Sequence, residues 1–221
     1  MAWALLGSSF LAVRTVRTTG SQVPRATVLE AAGIKLGTPL ARIDTGAIAR
    51  RVERITQVQS ARVTLSWPDS VVIWTKRRAA VFTVRTGHGY ALVDPYGVVL
   101  RKTAASPPGL IALRPPSGQA AWAGQRLQLR REPAVMAAGA IVKGLPEWLR
   151  GRVTAVQADE PADVILILHH GIRVRWGSQG HGFAKAKEMA ILLRTNASYY
   201  DVSDPATAVT GSARGNTAGS G

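Results

Sequence analysis

The chain has 221 residues, 46% of them hydrophobic and 19% charged, and no cysteine. This length and apolar content support one or two domains with real cores and exclude a disordered or multi-span membrane protein, while zero cysteine excludes disulfides and thiolate metal sites. The net charge of +15 is uneven: residues 1–130 hold 18 Lys/Arg against 5 Asp/Glu and residues 131–221 hold 10 against 8, so any field that draws polyanions sits in the N-terminal part.

The N-terminus, MAWALLGSSFLAV, is apolar for thirteen residues before Arg14 and Arg17. At about 1.5 Å per residue it spans roughly 20 Å, short of a bilayer core of about 30 Å. It also lacks the basic start of a signal peptide. Two readings stand: the outer end of a transmembrane anchor (residues 1–12) that begins further upstream, or an amphipathic helix of a soluble domain. An apolar face broken only by Gly7, Ser8 and Ser9 favours the first.

Val13–Thr19 alternates weakly and predicts a strand ending at Gly20. Pro24 opens a helix with Val28, Leu29 and Ala32 apolar and Gly33 as its stop. Asp44 or Thr45 caps a second helix, in which Ile48, Val52 and Ile55 recur at i, i+4 and i+7. Val58–Arg78 then predicts two strands around a Trp67-Pro68-Asp69 turn, with Val63 and Leu65 on one face and Val71 and Ile73 as a second alternating set. Strand, helix, helix, strand, strand over residues 13–78 makes a three-stranded sheet covered by two helices.

From Ala79 the pattern changes to a β-rich domain, residues 79–209. Val81, Phe82 and Val84 predict a strand, and Tyr90–Asp94 with Val98–Lys102 a pair around Pro95-Tyr96-Gly97. Pro107–Pro116 predicts a Pro-rich connection, and Glu132–Lys143 a helix closed by Gly144, with Val135, Met136, Ile141 and Val142 on its apolar side. After a helical turn at Pro146–Arg150, the segments Val153–Gln157, Val164–His169 and Ile172–Trp176 predict antiparallel strands. Phe183–Arg194 predicts a helix and Tyr199–Val202 the start of a closing strand; residues 210–221 are a flexible tail. The fold class is α+β: the small helix-covered sheet, then a mixed sheet with flanking helices.

Chemistry-bearing motifs are weak. Asp44-Thr45-Gly46 is the tripeptide of aspartic proteases, but it occurs once and at a helix start, where an N-cap explains it. Gly177–Gly182 joins a strand to a helix without a P-loop or GxGxxG pattern, and reads as a surface turn. His88, His169, His170 and His181 have no HExxH or acidic companion, which argues against a metal site; no nucleophile context appears, and no cofactor or enzymatic activity is expected. Arg50, Arg51 and Arg54 on the second helix, with Lys76, Arg77 and Arg78 at a strand end, are candidates for contact with an anionic surface, lipid headgroups or nucleic acid; a solvated basic face is the plainer explanation. Trp67 is expected to pack at its turn, and Trp74, Trp122, Trp148 and Trp176 in the cores.

Six segments in order resemble one family, the FtsQ/DivIB bacterial cell-division proteins. They are Val13–Gly20 after an apolar run, Gly37–Asp44 (GTPLARID), Val58–Arg78 with its Trp-Pro turn, Leu92–Gly97 (LVDPYG), Arg175–Leu193 (RWGSQGHGFAKAKEMAILL), and Tyr200-Asp201-Val202 followed by Pro205. The resemblance implies a POTRA domain at 13–78, a β domain at 79–209 and a single membrane anchor upstream, with the rest extracytoplasmic at the division septum. The Arg-rich composition suggests an actinobacterial type. It further implies a non-enzymatic divisome scaffold whose closing strand receives FtsB/DivIC paired with FtsL, and through them the septal peptidoglycan synthase FtsW/FtsI. By position Tyr199, Tyr200, Val202 and Ala208 are the expected contacts, made by strand addition at a sheet edge. The alternative reading is a basic module that binds anionic lipid or nucleic acid.

Overall fold

A computed structural model of the chain describes residues 11–20, 23–116 and 129–211. They fall into two compact units, one ending at Ala79 and the other beginning at Ala80.

The first unit runs β1 (Thr15–Gly20), α1 (Arg25–Ala32), α2 (Thr45–Glu53), β2 (Val58–Ser66) and β3 (Ser70–Arg77), with sheet order β1-β3-β2. β1 lies parallel to β3, so the chain must cross over between them, and the helices lie on that crossover. α1 starts after Pro24 and stops where Gly33 turns left-handed (φ 57°) and donates back to the Leu29 carbonyl. Asp44 caps α2, its carboxylate accepting from the Ala47 N–H at 2.8 Å. Val28, Leu40, Ile48, Val52, Val71 and Ile73 are buried in one cluster; each contributes about 1.5–3 kcal/mol of transfer free energy. Val63 faces Ile73 and Leu65 faces Val71 across the hairpin, whose Trp67–Pro68 peptide is cis. Ala12 is buried and bridges to Pro39, so it packs with this unit and not with an anchor; residues 1–10 lie outside the described residues.

The second unit is a nine-stranded mixed sheet. Its strands are β4 (Phe82–Thr86), β5 (Gly89–Val93), β6 (Val99–Thr103), β7 (Ile111–Arg114), β8 (Val153–Glu160), β9 (Asp163–Leu168), β10 (Arg173–Gly177), β11 (Tyr199–Asp201) and β12 (Val209–Gly211). Its order is β12-β11-β10-β9-β8-β7-β4-β5-β6. The helices are α3 (Pro133–Gly144), α4 (Glu147–Arg150) and α5 (Gly182–Leu192). Their apolar sides meet the sheet in one core that runs from Phe82 and Val93 through Val142, Leu149 and Leu166 to Trp176, Met189 and Tyr200. The β5–β6 turn is built on Asp94, whose buried carboxylate accepts from the Tyr96 and Val98 N–H groups at 2.9 and 2.7 Å. α3 presses Gly139 against the Pro95 carbonyl, an approach that a side chain would block.

Several expectations are corrected. The Pro107–Pro116 connection contains β7, which joins the two halves of the sheet by parallel pairing with β4 and β8. Met136 is exposed, and α3 buries Val135, Ala138, Gly139, Ile141 and Val142. Trp176 is core, but Trp67, Trp74 and Trp148 are exposed; Trp122 lies outside the described residues. Thr210 and Gly211, assigned to the tail, pair with β11, while residues 212–221 lie outside the described residues.

Candidate edge-strand docking site

β11 pairs on both sides, parallel with β10 and antiparallel with β12, so the expected edge at Tyr199–Val202 is displaced outward by one strand. Among the described residues the sheet ends at β12 on this side and at β6 on the other. The chain returns to β12 through a turn at Asp204, whose carboxylate accepts from the Ala206 N–H at 3.0 Å and the Thr207 hydroxyl at 3.2 Å. Val209 opposes Asp201 and is 59% exposed, an apolar side chain on an edge strand with unpaired backbone groups.

The expected contact residues divide by face. Tyr200 and Val202 are fully buried; the Tyr200 hydroxyl accepts from the Ala197 N–H at 3.0 Å, and the Val202 N–H donates to the Arg175 carbonyl at 3.0 Å. They form the floor beneath the edge and cannot be contact anchors. Ala208 is half-buried against the same core. Tyr199 is half-exposed on the opposite face, the face it shares with Val209 through the β11–β12 register. Burial and the neighbouring Asp201 charge both push its phenol above the ordinary tyrosine value.

Beside Tyr199 on β10, sequence reasoning missed a charged cluster. Arg175 donates to Asp163 at 2.9 Å and lies 3.6 Å from Asp201. The hydrogen bond and charge of Asp163 hold its guanidinium above the ordinary value. Asp201 also accepts from the Ser203 N–H and hydroxyl at 2.9 and 2.6 Å, which fixes the exit of β11. The signal was present in the sequence as charged residues at alternate positions, Arg173 and Arg175. Behind the strand, buried Lys185 on α5 donates to the Trp176 and Ser178 carbonyls, both at 2.9 Å. Burial lowers its pKa, and Asp201 and Asp204 oppose that shift. The Gly177–Gly182 loop is thus a brace between strand and helix.

The six basic residues expected to share an anionic-surface patch do not form one face. Arg51 bonds the Ala32 carbonyl, and Arg78 bonds the Thr56 and Val58 carbonyls at 3.1 and 2.9 Å. Arg50 and Arg54 belong to the helix side of the first unit, whereas Lys76 alternates with buried Thr75 onto the opposite side of the sheet. Among the described residues no three His, Asp or Glu side chains gather where a metal could be held, and no helix is long and apolar enough to cross a membrane.

Comparison with known proteins matches residues 11–76 to the model of the POTRA domain, FtsQ-type, and residues 82–203 to that of the cell division protein FtsQ/DivIB C-terminal region. A cell division protein FtsQ of Streptomyces bingchenggensis (strain BCW-1) is 34% identical over 95% of this chain and 80% of its own length. That of Streptomyces coelicolor is 32% identical over 91% of this chain and 78% of its own. That of Mycobacterium leprae (strain Br4923) is 34% identical over 91% of this chain and 56% of its own.

Proposed function

The chain belongs to the FtsQ/DivIB family of cell-division proteins, and we propose that it acts as a non-enzymatic scaffold which captures a partner strand along β12. The observation that carries this reading is the edge itself. β12 is short and, among the described residues, has no strand outside it, with Val209 exposed on it and Tyr199 beside it. An incoming segment satisfies its own backbone groups by pairing there, and side chains on the Val209 face give selectivity. The occupant in this reading is FtsB/DivIC, delivered with FtsL and coupled through them to the FtsW/FtsI synthase. The apolar run before Ala12 is the end of a single anchor, and the rest is extracytoplasmic at the septum. The POTRA domain is a second docking surface for other division proteins.

Pull-down of an FtsB/DivIC–FtsL pair by the full chain tests this. Val209→Glu places an unpaired charge on the edge and should lose the pair while leaving thermal unfolding unchanged. Retained capture by a folded Val209→Glu variant would overturn the assignment. Tyr200→Glu and Val202→Glu are unsuitable probes, since both side chains are core.

A further inference from the structure

Among the described residues, the three-stranded sheet of the first unit has helices on one face only. On the other, side chains alternate outward, and Trp74 stands at the centre of β3, 52% exposed. Arg62 is its direct neighbour on β2 and Thr19 its neighbour on β1. Lys76 follows two residues along β3, and Arg17, opposite Val72, lies one diagonal step away, about 7–8 Å. Arg17, Arg62 and Lys76 are exposed, and none is paired with a carboxylate among the described residues. The acidic residues of this unit sit off the open face: Glu30 on α1, Asp44 at the α2 cap, Asp69 in the hairpin turn, and Glu53 on α2, whose carboxylate reaches the β2 edge at the Ala61 N–H.

We propose that this face docks on an anionic lipid bilayer, with Trp74 at headgroup depth and Arg17, Arg62 and Lys76 on the lipid phosphates. Tryptophan prefers that depth because its ring is apolar and its N–H needs a polar partner. Three cations, none of them ion-paired among the described residues, supply the attraction to an anionic leaflet. Between these groups lies a hollow of about 520 Å³ lined by Ser60, Ala61, Arg62, Trp74, Thr75 and Lys76, room for a headgroup between the two cations. An acidic peptide is favoured less, because the sheet edges carry side-chain bonds: Glu53 accepts from the Ala61 N–H at 3.0 Å, and Arg25 donates to the Val16 carbonyl at 3.2 Å. A nucleic-acid strand needs successive stacking rings, and this face has one. The inference is independent of β12 and of the partner captured there.

The test is co-sedimentation of the full chain with vesicles of phosphatidylcholine alone or with about one-third phosphatidylglycerol, using variants confirmed to fold by thermal unfolding. Each cation near an anionic surface is worth about fivefold in affinity, so Arg17→Gln/Arg62→Gln/Lys76→Gln should lose on the order of 100-fold on the anionic vesicles. Trp74→Ser should lose several-fold on the same vesicles, and neutral vesicles should not distinguish any variant. A control triple outside the face, Arg42→Gln/Arg50→Gln/Arg54→Gln, removes equal charge and should lose much less. Equal losses by the two triples, or face variants that bind like the wild type, would overturn the proposal. So would soluble polyglutamate that displaces the wild-type chain from anionic vesicles at low concentration and binds in a Trp74-dependent way, which would assign the face to an acidic protein.

Discussion

The two sheets solve the exposure problem in opposite ways. The three-stranded sheet has side chains bonded to the backbone of both outer strands, by Glu53 at Ala61 and by Arg25 at Val16, and among the described residues leaves one face uncovered around Trp74. The nine-stranded sheet packs its core against three helices and ends in β12, a three-residue strand with an exposed valine. An exposed sheet face offers side chains, hence charge and ring chemistry. An exposed edge offers backbone hydrogen bonds, hence strand pairing. One chain therefore carries two surfaces suited to different kinds of partner.

The sharpest break of this contrast lies just beneath the edge. Tyr200→Glu buries an unpaired carboxylate in the core and should cost about 4 kcal/mol or more, read as a lowered urea midpoint. An unchanged midpoint would mean that Tyr200 is not the floor of the site. Next in size is Lys185→Met, expected to cost about 1–3 kcal/mol because the Trp176 and Ser178 carbonyls lose their donor. Its pH profile gives a second reading. Burial lowers the pKa of folded Lys185 beneath the ordinary lysine value of about 10.4. Between those two values the unfolded chain holds a proton that the folded chain lacks, so this residue makes stability rise with pH across that window. The wild-type curve should show that rise relative to Lys185→Met, and parallel curves would exclude it.

Smaller effects belong to exposed groups. Arg175→Gln breaks a half-exposed ion-pair cluster and should cost no more than about 1 kcal/mol, while loosening the register of β11 seen by amide exchange. Trp74→Ser should change stability by less than about 0.5 kcal/mol, an unusual result for a tryptophan. A loss of several kcal/mol there would show that the open face is covered, and would remove the contrast between the two sheets.

The order of the first unit was readable because each boundary carries its own chemistry: Pro24 and Gly33 around α1, Asp44 before α2, and Trp67-Pro68-Asp69 between β2 and β3. Trp74 was also readable in principle. The alternation Val71, Ile73, Thr75 points inward and leaves Trp74 outward, but the general tendency of tryptophan to be buried outweighed the pattern. β7 was hidden because Ile111–Arg114 is four residues between prolines, and its place is fixed by parallel partners distant in sequence. β12 was hidden because Val209-Thr210-Gly211 has no periodicity and lies next to a Gly/Ser tail. Adjacent tyrosines at 199 and 200 gave no means of telling which one faces the core; only pairing with β10 and β12 decides that.

The central claim, capture of a partner strand at β12, is tested most directly by amide hydrogen exchange of the full chain with and without the FtsB/DivIC–FtsL pair. Strand addition predicts slowed exchange at Val209–Gly211, with β3, already paired on both sides, unchanged. Unaltered exchange at Val209–Gly211 in a saturated complex would contradict it.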